Sequence, residues 1–267
     1  MPHSKFEKIN GNVLKIVACI SMLIDHLTGG IMYPVVKYGH YTGTTPIQDL
    51  NRIYVFLRGV GRLAFPIYCF LLVEGFMHTK SRLRYSLSLL LFGLISEIPF
   101  DLLFFSETEV FNPNIFTALS ANSYLLWNQC NVYFTLLMGL LTIWAIDLSQ
   151  KFFIEKELPS YLKLITCALF SAVFSFIAYK INSDYDFYGV ILIVIFYMLH
   201  NYRLLGLLAG FMFIANLGME AYSFPAFILM ALYSGKRGRN LGKFKYFFYL
   251  FYPVHLTVIY FIRCLAF

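Results

Sequence analysis

Two histidines, His26 and His255, and two ionisable pairs spaced four residues apart, Arg58/Arg62 and Glu97/Asp101, lie inside runs otherwise apolar enough to cross a bilayer. Charge is costly at mid-membrane, so such residues face a bundle interior or a cavity, and each is a functional-site candidate by default. Histidine suits proton transfer and arginine suits a developing negative charge, so this set of residue types fits acid–base chemistry with oxyanion stabilisation. On a helix the neighbouring Asp25 and His26 point about 100° apart, so Asp25 is expected to orient another helix or Arg62 rather than His26. His255 closes the stretch Phe251-Tyr252-Pro253-Val254-His255, where Pro253 interrupts the helical ladder and frees backbone carbonyls at depth.

Depth brings these groups into one layer. At about 1.5 Å per residue, counted from the outer end of each apolar run, Asp25 and His26 lie roughly 10–12 Å deep. On the same rise Arg58 and Arg62 lie about 6 and 12 Å deep, and Asp101 and Glu97 about 6 and 12 Å deep. Like charges at i, i+4 share a helix face and repel unless something opposes them. The expected solution pairs Arg62 with Glu97 and Arg58 with Asp101. The same pairs also read as interhelical ties with no chemical role, because partners that neutralise each other need do nothing more.

The elements that must hold this layer are membrane helices. With 59% hydrophobic and only 13% charged residues, and a mean hydropathy of +0.68, the chain reads as one polytopic, all-α domain over residues 1–267, with no room for a soluble domain. Apolar runs give about nine spans, within a range of roughly eight to ten, near 13–34, 53–77, 84–105, 131–149, 161–181, 187–200, 203–217, 221–234 and 244–266. Three of the later runs, 187–200, 203–217 and 221–234, are short, so the segments around His200-Asn201-Tyr202-Arg203 and Leu217-Gly218-Met219-Glu220 are candidates for re-entrant or strongly tilted pieces. Lys5/Lys8, Lys80 to Arg84, Lys151/Lys156/Lys163, Arg203 and Lys236 to Lys245 alternate with the base-poor or acidic Glu107/Glu109, Asp184/Asp186 and Glu220. The positive-inside rule then puts the N-terminus in the cytoplasm and the C-terminus outside. The same rule accounts for the net charge of +7, which excludes nucleic-acid binding as its explanation. The five cysteines show no metal-like spacing, and no metal site is expected.

Several ordered motifs resemble the TraX family of integral-membrane proteins. They are Lys15-x10-His26, Gly61-Arg62-Leu63-Ala64-Phe65-Pro66, Leu72-Val73-Glu74-Gly75-Phe76, Ser96-Glu97-Ile98-Pro99-Phe100-Asp101, Asn131 to Leu136 and Tyr252-Pro253-Val254-His255. The resemblance covers roughly 12–262. Asp184-Tyr185 ahead of Gly189-Val190 also looks like the family's late acidic motif, with Asp186 where glycine is expected.

The resemblance implies an acetyltransferase of a bacterial cytoplasmic (inner) membrane, since TraX of conjugative plasmids is the pilin N-acetyltransferase. It is similar to the wider group that carries acetyl from cytoplasmic acetyl-CoA to outer-facing acceptors, in which a basic residue stands eleven positions before the active-site histidine; Lys15 and His26 have that spacing. It implies acetyl-CoA as acyl donor and, as acceptor, an amine or hydroxyl of a peptide, polysaccharide or lipid-linked glycan. His26 is then general base or acetyl-accepting nucleophile, both open. Arg62 or Asn131 polarises the acetyl carbonyl with Glu97 positioning Arg62, while Asp25, Asp101 and His255 complete the layer. Lys15, Arg58, Lys80 and Arg82 are the expected cofactor-side cations of a basic inner rim, and Glu74-Gly75 the expected close approach near the thioester. Two other classes fit the same residues: a non-catalytic assembly protein of an envelope or conjugation machine, and a proton-coupled transporter.

Overall fold

A computed structural model describes residues 9–37, 39, 41–105, 114–124, 126–238 and 247–266. Among these the only β-type bridge is one isolated parallel pair, Ile9 to Tyr233. Helix α1 (Gly11–Leu27) starts at Asn10, whose side-chain oxygen accepts the Asn12 and Val13 amides at 3.0 and 3.2 Å, so its first turn is capped. A π-helical turn (Thr28–Met32) and α2 (Tyr33–Lys37) prolong it. Then come α3 (Ile47–Gly61), α4 (Ala64–His78), α5 (Arg82–Phe104), α6 (Ile115–Ala121), α7 (Val132–Glu155), α8 (Ser160–Lys180), α9 (Asp186–Met198), α10 (Arg203–Ile214), α11 (Phe224–Ala231) and α12 (Phe247–Ala266).

Seven helical segments among the described residues are long and apolar enough to cross a membrane. The chain is thus a multi-pass helical membrane protein. Seven segments stand where about nine are expected, and the difference lies in the three short later runs. Helix α9 has 13 residues, about 20 Å of rise against a hydrocarbon core of about 30 Å. The runs 203–217 and 221–234 belong to one 32-residue segment, His200–Ala231. A 3₁₀ stretch, Ala215–Ser223, joins its halves and breaks at Leu217 and Gly218, where φ +69° at Gly218 needs glycine.

The chain divides into two compact units interleaved in sequence: Met1–Tyr68, Ile95–Trp127 and Ala215–Phe267 form one, and Cys69–Leu94 with Asn128–Ile214 the other. The first has a core of fully buried Leu14, Ala18, Leu103 and Leu256. Here a β-carbon on Gly30 would sit 2.8 Å from Leu103 Cδ1, so a small residue permits the approach of α5 to the π-turn. The segment after α11 returns to the start of α1: Leu232 accepts the Ile9 amide at 3.1 Å, and Lys236 and Arg237 accept those of Gly11 and Asn12 at 2.9 and 3.1 Å. The orphan amides of the α1 N-terminus are thereby satisfied by backbone.

The second unit is built on α7, α8 and α9, with Leu140, Ile143, Ile146, Leu192 and Ile193 fully buried. Asn131 caps α7, accepting the Tyr133 amide at 3.0 Å, and its amide group donates to the Gly93 carbonyl at 2.8 Å. The helix start is thus tied to the first half of α5.

Candidate functional site

The first unit gathers the ionisable layer. Pro66 lacks an amide and its ring crowds the carbonyl four residues back, that of Arg62, so the ladder fails between α3 and α4 at Arg62-Leu63. Ser21 of α1 takes up the loosened end of α3, donating to the Val60 and Gly61 carbonyls at 2.6 and 3.1 Å. A β-carbon on Gly61 would collide with Asp25 Oδ1; only glycine lets α3 come this close to α1.

At that crossing Asp25 receives both arginines. Arg58 Nη1 donates to its Oδ2 at 2.7 Å and Arg62 Nη2 to its Oδ1 at 2.7 Å. Arg62 also donates from Nη1 to Glu220 Oε1 at 2.9 Å and from Nε to the Arg58 carbonyl at 3.3 Å. The charge-assisted pairs therefore join Arg58 and Arg62 to Asp25 and Glu220, where the sequence suggests Asp101 and Glu97. Two guanidinium and two carboxylate groups balance, which is what burial demands. Asp25, expected to orient another helix or Arg62 rather than His26, is hydrogen-bonded to both Arg58 and Arg62. Glu220, read from the charge pattern as an outside loop residue, is 5% exposed and sits in the 3₁₀ break. Its signal in the sequence is the Leu217-Gly218 interruption just before an acid in an apolar stretch.

One residue further along α1, His26 Nδ1 lies 2.6 Å from His255 Nε2 of α12. The rings are parallel to within 7° with centroids 4.9 Å apart, a separation matching the hydrogen bond plus two ring radii, so they meet edge to edge in a common plane. His255 Nδ1 lies 2.5 Å from the Phe251 carbonyl. A carbonyl only accepts, so His255 carries its proton on Nδ1 and offers a lone pair at Nε2. The bond between the rings must then be donated by His26 Nδ1. Neutral His26 is left with its basic lone pair on Nε2, which no described residue occupies. Phe104 and Tyr252 stand edge-on to the His26 ring, with centroids at 5.3 and 5.6 Å. Such an array can hold and move one proton at a defined atom in a largely apolar surround.

The remaining sequence candidates are placed as follows. Glu97 and Asp101 are buried on the second half of α5, and Asp101 Oδ2 accepts the Trp127 amide at 3.0 Å. Lys15 lies on the His26 face of α1 with its Nζ 5.3 Å from the Phe248 ring centroid. In the second unit Asn131 has both ends of its side-chain amide in structural bonds. There Glu74 Oε1 is 3.1 Å from His200 Nε2, Arg82 pairs with Asp147 and covers Phe76 at 4.2 Å, and Lys80 is exposed. No group of three or more metal-ligating side chains occurs among the described residues.

A model of the family described as "TraX protein" matches residues 10–263. The chain is 29% identical over 264 residues to "Probable fimbrial assembly protein FimC, serogroup H1" of Dichelobacter nodosus, covering 92% of each. No solved structure matches it.

Proposed function

The chain belongs to the TraX family, and from that premise we propose that it is a membrane-embedded acetyltransferase. In this reading it moves acetyl from cytoplasmic acetyl-CoA to an amine or hydroxyl of an outer-facing acceptor, in an inner membrane with its N-terminus in the cytoplasm. The observation that carries the reading is the His26–His255–Phe251 carbonyl relay, which leaves one imidazole lone pair on α1 next in sequence to Asp25, the carboxylate that holds both arginines. A purely structural buried histidine has both ring nitrogens satisfied; a relay that fixes the tautomer and leaves Nε2 open suits proton abstraction. The name of the fimbrial-assembly relative favours a pilin-like peptide as acceptor.

Acetyl-CoA supplies an activated thioester and carries phosphates that need cations. Lys15 suits that task, since it has no acidic partner among the described residues. It stands eleven residues before His26, about 16 Å along α1. Arg82 suits it less, being engaged by Asp147.

A second reading, a non-catalytic pilus or conjugation assembly protein, draws on the printed name of the relative and on the closed charge balance of the arginine cluster. Sealed vesicles of known orientation separate the two. With labelled acetyl-CoA confined to the cytoplasmic face, the acetyltransferase reading expects label on envelope acceptors exposed at the opposite face. Pilus assembly that persists in His26→Ala, with no label transferred by wild type, would support the assembly role instead.

A further inference from the structure

The arginine cluster divides into a saturated and an open member. Arg62 donates from Nε to the Arg58 carbonyl, from Nη1 to Glu220 and from Nη2 to Asp25, and its side chain is 13% exposed. Arg58 uses Nη1 alone, on Asp25 Oδ2 at 2.7 Å and on the Asp25 carbonyl at 3.5 Å, and its side chain is 24% exposed. No described residue accepts from Arg58 Nε or Nη2. A guanidinium has five donor hydrogens in a rigid fork, so Arg58 keeps a planar donor edge available.

The guanidinium that carries this edge stands by the turn that follows His26: Arg58 Nη1 would lie 3.2 Å from a β-carbon on Gly29, three residues on in the π-turn, and Phe104, whose ring stands edge-on to His26, packs against the same spot at 3.4 Å. The Asp25 carbonyl and carboxylate hold the guanidinium there, so its orientation does not depend on a substrate.

We propose that Arg58, and not Arg62, donates to the acetyl carbonyl oxygen during transfer, with Arg62 the positioning residue that holds Asp25 and Glu220 around it. This rests on the acetyltransferase reading. The step balances as follows. The acceptor N–H or O–H loses its proton to His26 Nε2 while the heteroatom bonds to the thioester carbon. The carbonyl electron pair moves onto oxygen, facing the free edge of Arg58. When the carbonyl re-forms, the C–S bond breaks and the CoA sulfur leaves with the proton returned from His26. The products are acetylated acceptor and CoA thiol, with no other reactant. Guanidinium donors aimed at the developing oxyanion act chiefly on the chemical step, because they bond it more strongly than the ground-state carbonyl.

The test uses full-length protein in nanodiscs, acetyl-CoA as donor, an amine-bearing pilin-like peptide as acceptor and CoA thiol as readout, with thermal unfolding of each variant measured alongside. Arg58→Lys keeps a cation for Asp25 but removes the planar donor edge. It is expected to lower kcat by about 10²–10³-fold, the usual effect of losing one oxyanion donor, with KM and unfolding temperature close to wild type. Arg62→Lys is expected to lower the unfolding temperature clearly and to lower kcat less than Arg58→Lys does. Undiminished kcat in folded Arg58→Lys, or a loss seen only in KM, overturns the assignment of Arg58 while His26-dependent CoA release leaves the acetyltransferase reading standing. Absence of CoA release from folded wild type overturns both.

Discussion

His255 Nε2 accepts a 2.6 Å hydrogen bond from His26 Nδ1, and the direction of that bond is set one helical turn back along α12, at the Phe251 carbonyl. The consequence is that neutral His26 carries its lone pair on Nε2. Removal of His255 leaves His26 in the membrane but releases its tautomer and ring orientation. His255→Ala is therefore expected to lower kcat for acetyl transfer by about 10²-fold, at the lower end of general acid–base effects, with a small change in KM. Steady-state CoA release checks this, and added imidazole should restore part of the loss by occupying the vacated space.

Asp25 is the joint of the cluster, since it alone contacts both arginines through its carboxylate. Asp25→Asn keeps the shape and removes the charge, leaving two guanidinium groups against Glu220. Breaking a buried ion pair costs about 3–5 kcal/mol, and the partial water access of Arg58 puts the expected loss near the lower figure. Chemical or thermal unfolding in detergent measures it. A double-mutant cycle between Arg62→Gln and Glu220→Gln should show coupling of about 0.5–3 kcal/mol, as for other contacting pairs.

Gly61 stands where a β-carbon would strike Asp25 Oδ1. Gly61→Ala must push α3 from α1 or displace the carboxylate from its arginines, a cost of about 1–3 kcal/mol for overpacking. The expected outcome is a lower unfolding temperature, with activity falling further than stability alone accounts for, because Asp25 also sets the position of Arg58. Gly93→Ala, in the other unit, meets Phe134 and Tyr133 at 3.3 Å, a distance the neighbours can yield. It should be the milder of the two in the same unfolding assay.

Asn131 belongs to the capping machinery of α7. Asn131→Ala loses the cap, about 1 kcal/mol, and also the Nδ2 hydrogen bond to the Gly93 carbonyl, which adds about 0.5–1.5 kcal/mol. Asn131→Asp preserves the cap while losing the Nδ2 donor, so an unfolding comparison of the two variants separates the contributions.

Much of the site is legible along the chain because ionisable residues are conspicuous in apolar runs. Asp25, His26, Arg58, Arg62 and His255 all emerge that way, and all five lie in one unit. Their partners are harder to read. Which acid meets Arg62 depends on which elements become neighbours, and Glu220 reaches it from 158 positions away through a broken helix. Glu97 and Asp101 share the right spacing, yet spacing within one helix says only that they share a face. Asn131 sits directly before the run that starts at Val132, the ordinary position of an N-cap, and that local role uses both ends of its side chain. The helical class follows from composition and run length. The span count does not, because a 13-residue apolar run is compatible with several placements.

In the proposed reaction His26 Nε2 takes the acceptor proton in an acetyl-CoA-dependent transfer. The most direct measurement is the rate of CoA thiol release from acetyl-CoA by purified protein in nanodiscs, for wild type and His26→Ala, with folding of each verified and an amine acceptor present. Wild type is expected to release CoA in an acceptor-dependent manner, at a rate reduced at least about 10²-fold in folded His26→Ala. Equal rates in the two proteins, or no release by folded wild type with envelope extract as acceptor, would contradict it.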